Sequence, residues 1–125
     1  MDIHKLTPPI TKTSLAKAMG CHYRSINNYH QVACTYLDDF LPDYPTISGK
    51  YETASPMTYY QAWCIWKVKL FLDFYPMSSI LKNGLENDPR IQQSWSKKAF
   101  FAEYPEYTDD DSTQSALTRQ LKTNW

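Results

Sequence analysis

Few side chains in this sequence are spaced so that they could bind a metal. His30 and Cys34 are four residues apart, which places both on one face of a helix at the spacing of metal ligands. The residues that could complete such a site are His4, Cys21, His22 and Cys64. The simpler interpretation is a buried cysteine beside a surface histidine, because Cys21 also fits an apolar position between two helices. We therefore expect no metal and no cofactor.

The carboxylates offer no clear catalytic arrangement either. Asp38 and Asp39 form an acidic pair and residues 109–111 form an acidic run, but no acid or base partner is placed near them. The three glycines are isolated at positions 20, 49 and 84, so no glycine-rich loop is present to hold a phosphate. We expect these acidic residues to be solvated surface, and we expect the protein not to be an enzyme.

Residues 22–31 carry polar side chains that suit the edges of DNA bases. Arginine bonds guanine through two hydrogen bonds, and asparagine or glutamine does the same for adenine. Histidine, tyrosine and serine can bond phosphate oxygens. This segment contains no acidic residue, which favours a polyanionic partner. The predicted DNA-contacting residues are His22, Tyr23, Arg24, Asn27, Asn28 and Gln31, together with Lys12 and Lys50 outside the segment.

Two short helices joined by a tight turn would present these side chains. Residues 12–31 have the apolar spacing of a helix-turn-helix, with a small residue where the helices cross and a glycine where the first helix must stop. The residues that fit this pattern are Leu15, Ala16, Met19, Gly20, Cys21, Ile26 and Tyr29. Two alternatives stay open. One is a helical hairpin without a DNA partner, and the other is a second helix weakened by Asn27 and Asn28.

The composition indicates one domain with an aromatic-rich interior and no net charge. Lysine and arginine number 13, as do aspartate and glutamate, whereas DNA-binding domains are usually basic. We therefore expect weak non-specific affinity and a need for base contacts and two copies of the chain. The three cysteines form no CxxC pair, and no signal peptide or apolar run of about 18 residues is present. This predicts a cytoplasmic protein without a membrane span.

Residues 42–57 contain four turn-forming residues, Pro42, Pro45, Gly49 and Pro56. Ser48-Gly49-Lys50 lies between residues of high β propensity, which predicts a short hairpin with Lys50 at its tip. A hairpin after a helix-turn-helix is a wing, and wings commonly lie along the DNA backbone. Lys50 would then contact a phosphate. An irregular loop is the alternative for this segment.

Thr58 begins the clearest helix of the sequence, because Gln61 three residues later completes a capping box. Its predicted buried stripe is Ile65, Val68 and Leu72. Trp63 and Trp66 lie off that stripe, so they should either pack on the hairpin or form a partner surface. Pro76 follows the helix, and Ser78 or Ser79 begins a shorter one.

The C-terminal segment is predicted to be helical and to dock either on its own domain or on a second copy of the chain, with the dimer as the favoured arrangement. Asp88-Pro89 is a good helix start, and the apolar residues after it are spaced by four, four and three at Ile91, Trp95, Ala99 and Ala102. A short final helix is predicted from Ala116 to Trp125. The residues predicted to form the dimer are Trp63, Trp66, Ile91, Trp95, Phe100 and Phe101.

The order of these parts resembles the MerR-type winged helix-turn-helix regulators over about residues 10–86. The residues that match the third helix, the bend and the fourth helix of that family are Thr58-Tyr59-Tyr60-Gln61, then Ile65, Val68 and Leu72, then Tyr75-Pro76-Met77-Ser78-Ser79-Ile80. The resemblance implies a mainly α fold: a winged helix-turn-helix domain with an N-terminal arm over residues 1–86, a small β-hairpin wing, and a C-terminal helical extension over residues 87–125.

Two departures from the family stand out. Asn28-Tyr29-His30 occupies the place of the usual Arg-Tyr-Tyr run, and the chain is too short and too rich in proline for the long C-terminal coiled coil. The tail is similar instead to the short MerR-type repressors that accompany CRISPR-associated transposons in cyanobacteria.

The favoured function is a sequence-specific DNA-binding transcriptional regulator that acts as a homodimeric repressor on double-stranded DNA. Two-fold symmetry predicts an inverted-repeat operator with half-sites about one helical turn apart. Two other functions stay open. One is a recombination accessory protein that bends DNA, similar to the small winged-helix excisionases, and the other is a protein-interaction module that does not bind DNA.

Overall fold

The computed structural model describes residues 1–108, which form a mainly helical protein with one small antiparallel sheet. The helices are α1 (Lys12–Met19), α2 (Tyr23–Tyr36), α3 (Tyr59–Phe74), α4 (Ser78–Asn87), α5 (Pro89–Ser94) and α6 (Lys97–Glu103), and the strands are β1 (Thr46–Ile47) and β2 (Lys50–Tyr51). Single-turn 3-10 helices occur at Ile3–Lys5, Leu41–Asp43 and Pro105–Tyr107. The prediction of a mainly α fold is confirmed. The helix predicted from Ala116 to Trp125 lies outside the described residues.

Local sequence signals set the ends of α1. Thr11 Oγ1 accepts a hydrogen bond from the N–H of Ser14 at 3.0 Å, and Ser14 Oγ accepts one from the N–H of Thr11 at 2.9 Å. This capping box satisfies amide groups that would otherwise lack partners at the start of the helix. Gly20 has a φ of 65°, and the N–H of Cys21 bonds the carbonyl oxygen of Ala16 at 3.0 Å. The helix stop predicted at Gly20 is therefore confirmed.

Helix α3 is the centre of the core. Every residue from Tyr59 to Ile65 is buried, and Val68 continues the buried face one turn later. A helix that is buried all round lies inside a fold rather than on its surface. It packs against α2, α4, α6 and the N-terminal 3-10 helix. The predicted stripe of Ile65 and Val68 is confirmed, although Leu72 is only partly buried because α3 reaches the surface there.

The C-terminal segment forms two helices instead of the single one predicted. Asp88 caps α5 by accepting a hydrogen bond from the N–H of Arg90 at 2.9 Å, and Ser96 caps α6 by accepting one from Ala99 at 3.2 Å. The break at Trp95 turns its carbonyl oxygen inward, where the Tyr60 hydroxyl donates to it at 2.8 Å. A serine cap and a tertiary hydrogen bond therefore interrupt an apolar pattern that is regular in the sequence.

Three of the residues predicted to form the dimer are instead part of the chain's own core. Trp63 is 1% exposed, Phe100 is 0% exposed and Trp95 is 9% exposed. The rings of Trp63 and Phe100 lie 5.3 Å apart between centroids. The prediction of a dimer surface is wrong for these three, because α6 folds back on α3 and buries them. Trp66, Ile91 and Phe101 are partly buried beside the same core.

Residues 87–108 pack on the preceding domain instead of extending away from it. The side-chain amide of Gln92 donates to the carbonyl oxygen of Leu85 at 3.0 Å and also to that of Tyr36, which joins α5 to α4 and α2. The ring of Tyr107 stacks on that of Tyr59 with 4.3 Å between centroids. Of the two docking arrangements predicted for this segment, the structure has the packing on its own domain, and the segment contributes to one continuous core.

A buried polar network joins the start of α3 to the loop before the hairpin. Thr58 Oγ1 donates to Asp43 Oδ2 at 2.6 Å and accepts the N–H of Gln61 at 3.2 Å. The ammonium of Lys97 forms an ion pair with the other oxygen of Asp43. Asp39, which we expected to be solvated, accepts the backbone N–H of Lys97 at 3.0 Å. These carboxylates fix where α6 begins.

Candidate nucleic-acid interface

The packing of α1 on α2 decides which face of α2 points outward. Ile26 and Leu15 are fully buried between the helices, and Ala16 is 6% exposed where they cross. Arg24, Asn28 and Gln31 lie on the opposite side of α2, spaced by four and three residues, and all are exposed. These side chains project from one face in adjacent turns, as a helix that enters a DNA groove requires.

His22 begins α2 and also sets the position of Arg24. Its Nδ1 accepts a hydrogen bond from the N–H of Arg24 at 3.1 Å, so the neutral ring carries its proton on Nε2. The side chain is exposed, and Nε2 is available to donate to an anion. Tyr23 is 46% exposed beside it, whereas Asn27 is half-buried on the flank of the helix. The predicted residues therefore differ in how far they reach into solvent.

Lys12 and Tyr23 meet across a hollow of about 210 Å³ between the start of α1, the start of α2 and the segment after β2. The hollow is lined by Thr11, Lys12, Thr13, Tyr23, Tyr44, Thr53, Ala54, Ser55 and Met57. Its hydroxyl groups and single ammonium match the hydrogen-bonding needs of a phosphate. Thr53 and Ser55 were missed by reasoning from the sequence, because nothing local to them indicates proximity to α1.

A second concavity, a groove of about 450 Å³, runs between α2 and α4. Asn28 and Gln31 form part of one wall, and Lys82 and Ser78 of α4 lie on the other. Tyr29, Val32, Thr35, Tyr36 and Leu72 complete its lining. Lys82 is therefore a basic group beside two of the predicted base-reading side chains. Lys82 is distant from Asn28 and Gln31 in the sequence, so the sequence alone did not indicate that these residues are close in space.

The hairpin that carries Lys50 is confirmed, with a two-residue turn. Thr46 pairs with Tyr51 and Ile47 pairs with Lys50, and the turn residues Ser48 and Gly49 both have positive φ, at 54° and 80°. Two positive φ values in a two-residue turn match the twist of antiparallel strands. Lys50 is thus the first residue of β2 and is exposed beside the turn.

His30 and Cys34, the pair at metal-ligand spacing, are part of a buried polar cluster instead. His30 Nε2 lies 2.7 Å from the Tyr44 hydroxyl, and Nδ1 lies 3.6 Å from Cys34 Sγ. Burial lowers the pKa of His30 to about 4 and raises the pKa of the Cys34 thiol to about 11. Both groups are therefore neutral at pH 7. Within residues 1–108 no cluster of three histidine, cysteine or acidic side chains is arranged to hold a metal ion.

The charge around α1 and α2 is positive although the whole chain is neutral. From Thr11 to Leu37 the sequence contains Lys12, Lys17 and Arg24 and no acidic residue. Acidic side chains follow immediately at Asp38 and Asp39, at the far end of α2. The start of α2, where its dipole is also positive, is the more favourable end for a polyanion.

Comparison of the chain with protein-family models, curated proteins and solved structures finds no match to any of them. Among the helices of residues 1–108, none combines the length and the apolar character needed to span a bilayer.

Proposed function

We propose that this protein is a winged helix-turn-helix regulator that binds double-stranded DNA in a sequence-specific manner, as a homodimeric repressor of the MerR-like type. In this proposal α1 and α2 are the helix-turn-helix and the β1–β2 hairpin is the wing. Arg24, Asn28 and Gln31 read base edges in one major groove, with His22 and Tyr23 at the start of the same helix. The three cysteines are free thiols, in keeping with a place of action in the reducing cytoplasm.

The observation that carries the proposal is the outward face of α2. Arg24, Asn28 and Gln31 are exposed on one side of a helix whose other side is anchored by Ile26. A solvated helix face more often carries glutamate and lysine, whereas these three side chains can each make paired hydrogen bonds with a base. The absence of acidic residues between Thr11 and Leu37 removes the main electrostatic obstacle to DNA.

Contacts with the DNA backbone are assigned to the groups around this face. Lys12, Thr53 and Ser55 would hold one phosphate in the hollow between α1 and the hairpin. Lys50, which is exposed on the hairpin, would contact the backbone from the wing. Backbone contacts of this kind position a protein on DNA without specifying a sequence.

The experiment that tests the proposal is selection of bound duplexes from a random-sequence pool by the full-length protein. We expect enrichment of an inverted repeat whose half-sites are about one helical turn apart. Affinity for the selected duplex should exceed that for a scrambled duplex by roughly 10³-fold or more at moderate salt.

Two other results would contradict the proposal in different ways. Tight binding that bends DNA without preferring a sequence would support the recombination accessory function. No binding to any duplex at low salt would support a protein-interaction module, which the zero net charge of the chain also favours.

A further inference from the structure

The bend between α3 and α4 carries four of the seven large hydrophobic side chains that are exposed within residues 1–108. Phe74 is 80% exposed, Met77 is 63% exposed, Tyr75 is 56% exposed and Ile80 is 49% exposed. They occur within seven consecutive residues that contain no charged side chain. We refer to Phe74, Tyr75, Met77 and Ile80 as the bend surface. Monomeric proteins rarely leave such a cluster in water unless a partner covers it.

Tyr75 joins the bend surface to the core behind it. The ring of Tyr75 lies 5.1 Å from that of Phe71, and Phe71 in turn lies 6.4 Å from Trp95, between centroids. The N–H of Tyr75 bonds the carbonyl oxygen of Phe71 at 2.8 Å, which closes the end of α3. Since Tyr75 is already packed on the core, covering its ring costs little conformational entropy.

The size of the bend surface fits one face of a dimer. Aromatic side chains present roughly 150–250 Å² each and methionine and isoleucine are comparable in size, so these exposed fractions amount to roughly 500 Å², most of it apolar. A standard stable interface covers about 800 Å² on each partner, of which somewhat more than half is apolar. The bend surface can therefore supply the whole apolar part of such an interface.

The charges at the two ends of the bend suit pairing with an identical surface. Asp73, which also bonds Lys69 at 2.6 Å, immediately precedes the uncharged run, and Lys82 follows it. In a two-fold dimer the same patch meets itself in the opposite direction. Asp73 of one copy would then approach Lys82 of the other, so opposite charges meet at both ends of the contact.

We propose that the bend surface is the interface through which two copies of this chain associate, with Phe74 and Met77 at its centre. The inference rests on the proposed function for its two-fold symmetry, and it replaces the buried Trp63, Trp95 and Phe100 as the dimer contact. Lys82 borders both the bend and the groove beside α2, so the interface would set the distance between the two recognition helices.

Sedimentation velocity of the full chain without DNA tests the inference. At tens of micromolar the wild type should sediment as a dimer, with twice the 14.6 kDa mass of one chain. The double variant Phe74→Ser/Met77→Ser should raise the dimer dissociation constant at least tenfold. Ile80→Lys is an independent variant that should have the same effect, because it places two like charges in the contact.

Ile47→Ser is the matched control, since Ile47 is 61% exposed on the hairpin and lies outside the bend surface. Circular dichroism establishes that each variant is folded, and Ile47→Ser should dimerise as the wild type does. A wild type that stays monomeric, or folded bend variants that dimerise as tightly as the wild type, would overturn the inference. Binding of a single half-site duplex is measured separately, so failure of DNA recognition and failure of the dimer are distinguishable.

Discussion

At the residue scale, the histidine that caps α2 and the histidine inside it show that environment decides what a side chain can do. His22 is exposed and uses Nδ1 to cap α2, which leaves Nε2 available for an anion. His30, two turns later, is 6% exposed and bonded to Tyr44. His22 is suited to recognition and His30 to internal packing, although the two residues are close together in the sequence.

The burial of His30 predicts a specific loss of stability in mild acid. The unfolded chain binds a proton at this residue below its ordinary pKa of 6.5, whereas the folded chain does so only near pH 4. The contribution of His30 to the free energy of unfolding is therefore fully present above about pH 6.5. It falls by roughly 3 kcal/mol as the pH decreases to about 4. Urea denaturation measures the free energy of unfolding at pH 7 and at pH 4.5. The decrease between the two pH values should be smaller for His30→Gln than for the wild type.

His4 provides the control for this pH dependence. It is exposed, and its hydrogen bond to Glu106 raises its pKa above the ordinary value. Any stability from His4 is present at low pH and decreases as the pH rises, which is the opposite direction. His4→Gln should therefore not reduce the loss in acid. If His30→Gln loses as much stability as the wild type between pH 7 and 4.5, His30 is not the group responsible.

Arg24 and Lys50 should affect DNA binding in different ways. Arg24→Ala should cost about 1–3 kcal/mol on the selected duplex and relax preference at one base position, because arginine reads a base edge. Lys50→Ala should weaken binding about equally on all sequences and reduce the salt slope by about one unit, because lysine contacts phosphate. Titrations of the selected and scrambled duplexes at two salt concentrations measure both effects.

Arg90→Ala is the matched control for Arg24, since its side chain is 91% exposed on α5, outside the proposed interface. It should change affinity for neither duplex. If Arg24→Ala and Lys50→Ala are folded and also bind like the wild type, α2 is not the element that reads DNA.

At the element scale, the same capping motif has different consequences at the two helices that carry it. Thr11 caps α1 at the surface, whereas Thr58 caps α3 in the interior and also donates to the buried carboxylate of Asp43. An exposed helix end whose cap is lost can bond water instead. A buried one has no such substitute, so its amide groups stay unsatisfied.

Replacement of each capping threonine by valine should reveal this difference. Thr11→Val should lower the free energy of unfolding by about 1 kcal/mol, which is typical of a lost N-cap. Thr58→Val should lower it by about 2–4 kcal/mol, because it removes the hydrogen bond to the buried carboxylate of Asp43 as well as the cap on the N–H of Gln61. Urea denaturation of the two variants measures the difference directly. Equal losses would show that Asp43 and Thr58 add nothing beyond an ordinary cap.

At the scale of the whole molecule, the C-terminal segment completes the core. Trp95, Phe100 and Tyr107 are all buried, and Lys97 forms the ion pair with the buried Asp43. Replacement of a single buried aromatic residue by alanine typically costs about 3–5 kcal/mol, and a whole domain is stable by only about 5–15 kcal/mol. Residues 1–86 are therefore not expected to be stable alone, although they include the helix caps and the hairpin turn that the sequence predicts.

Two truncations test this dependence. A chain that ends at Glu86 should lack a cooperative thermal transition, because it loses three buried aromatic side chains and leaves the Asp43 carboxylate without Lys97. A chain that ends at Thr108 keeps every described core residue and should unfold cooperatively. Calorimetry of both chains measures the transitions. Cooperative unfolding of residues 1–86 with wild-type stability would show that the C-terminal helices are dispensable.

The sequence by itself determined the features that depend on near neighbours. The stop at Gly20, the capping box of Thr58 and Gln61 and the turn at Ser48-Gly49 all follow from hydrogen bonds or dihedral angles within four residues. The outward position of Arg24 likewise follows from helical periodicity once Ile26 is placed inside. These predictions depend only on residues that are close together in the sequence, so the sequence alone is enough to make them.

Only the tertiary structure decided which apolar residues lie inside. Trp63 and Phe100 were expected at a dimer surface but meet in the core, whereas Phe74 and Met77 are exposed at the bend. Periodicity places a residue on a face of its helix, but it does not say whether another helix will cover that face. Whether a face is covered depends on contacts between segments that are distant in the sequence. Here α6 and Trp95, the residue that follows α5, pack on α3.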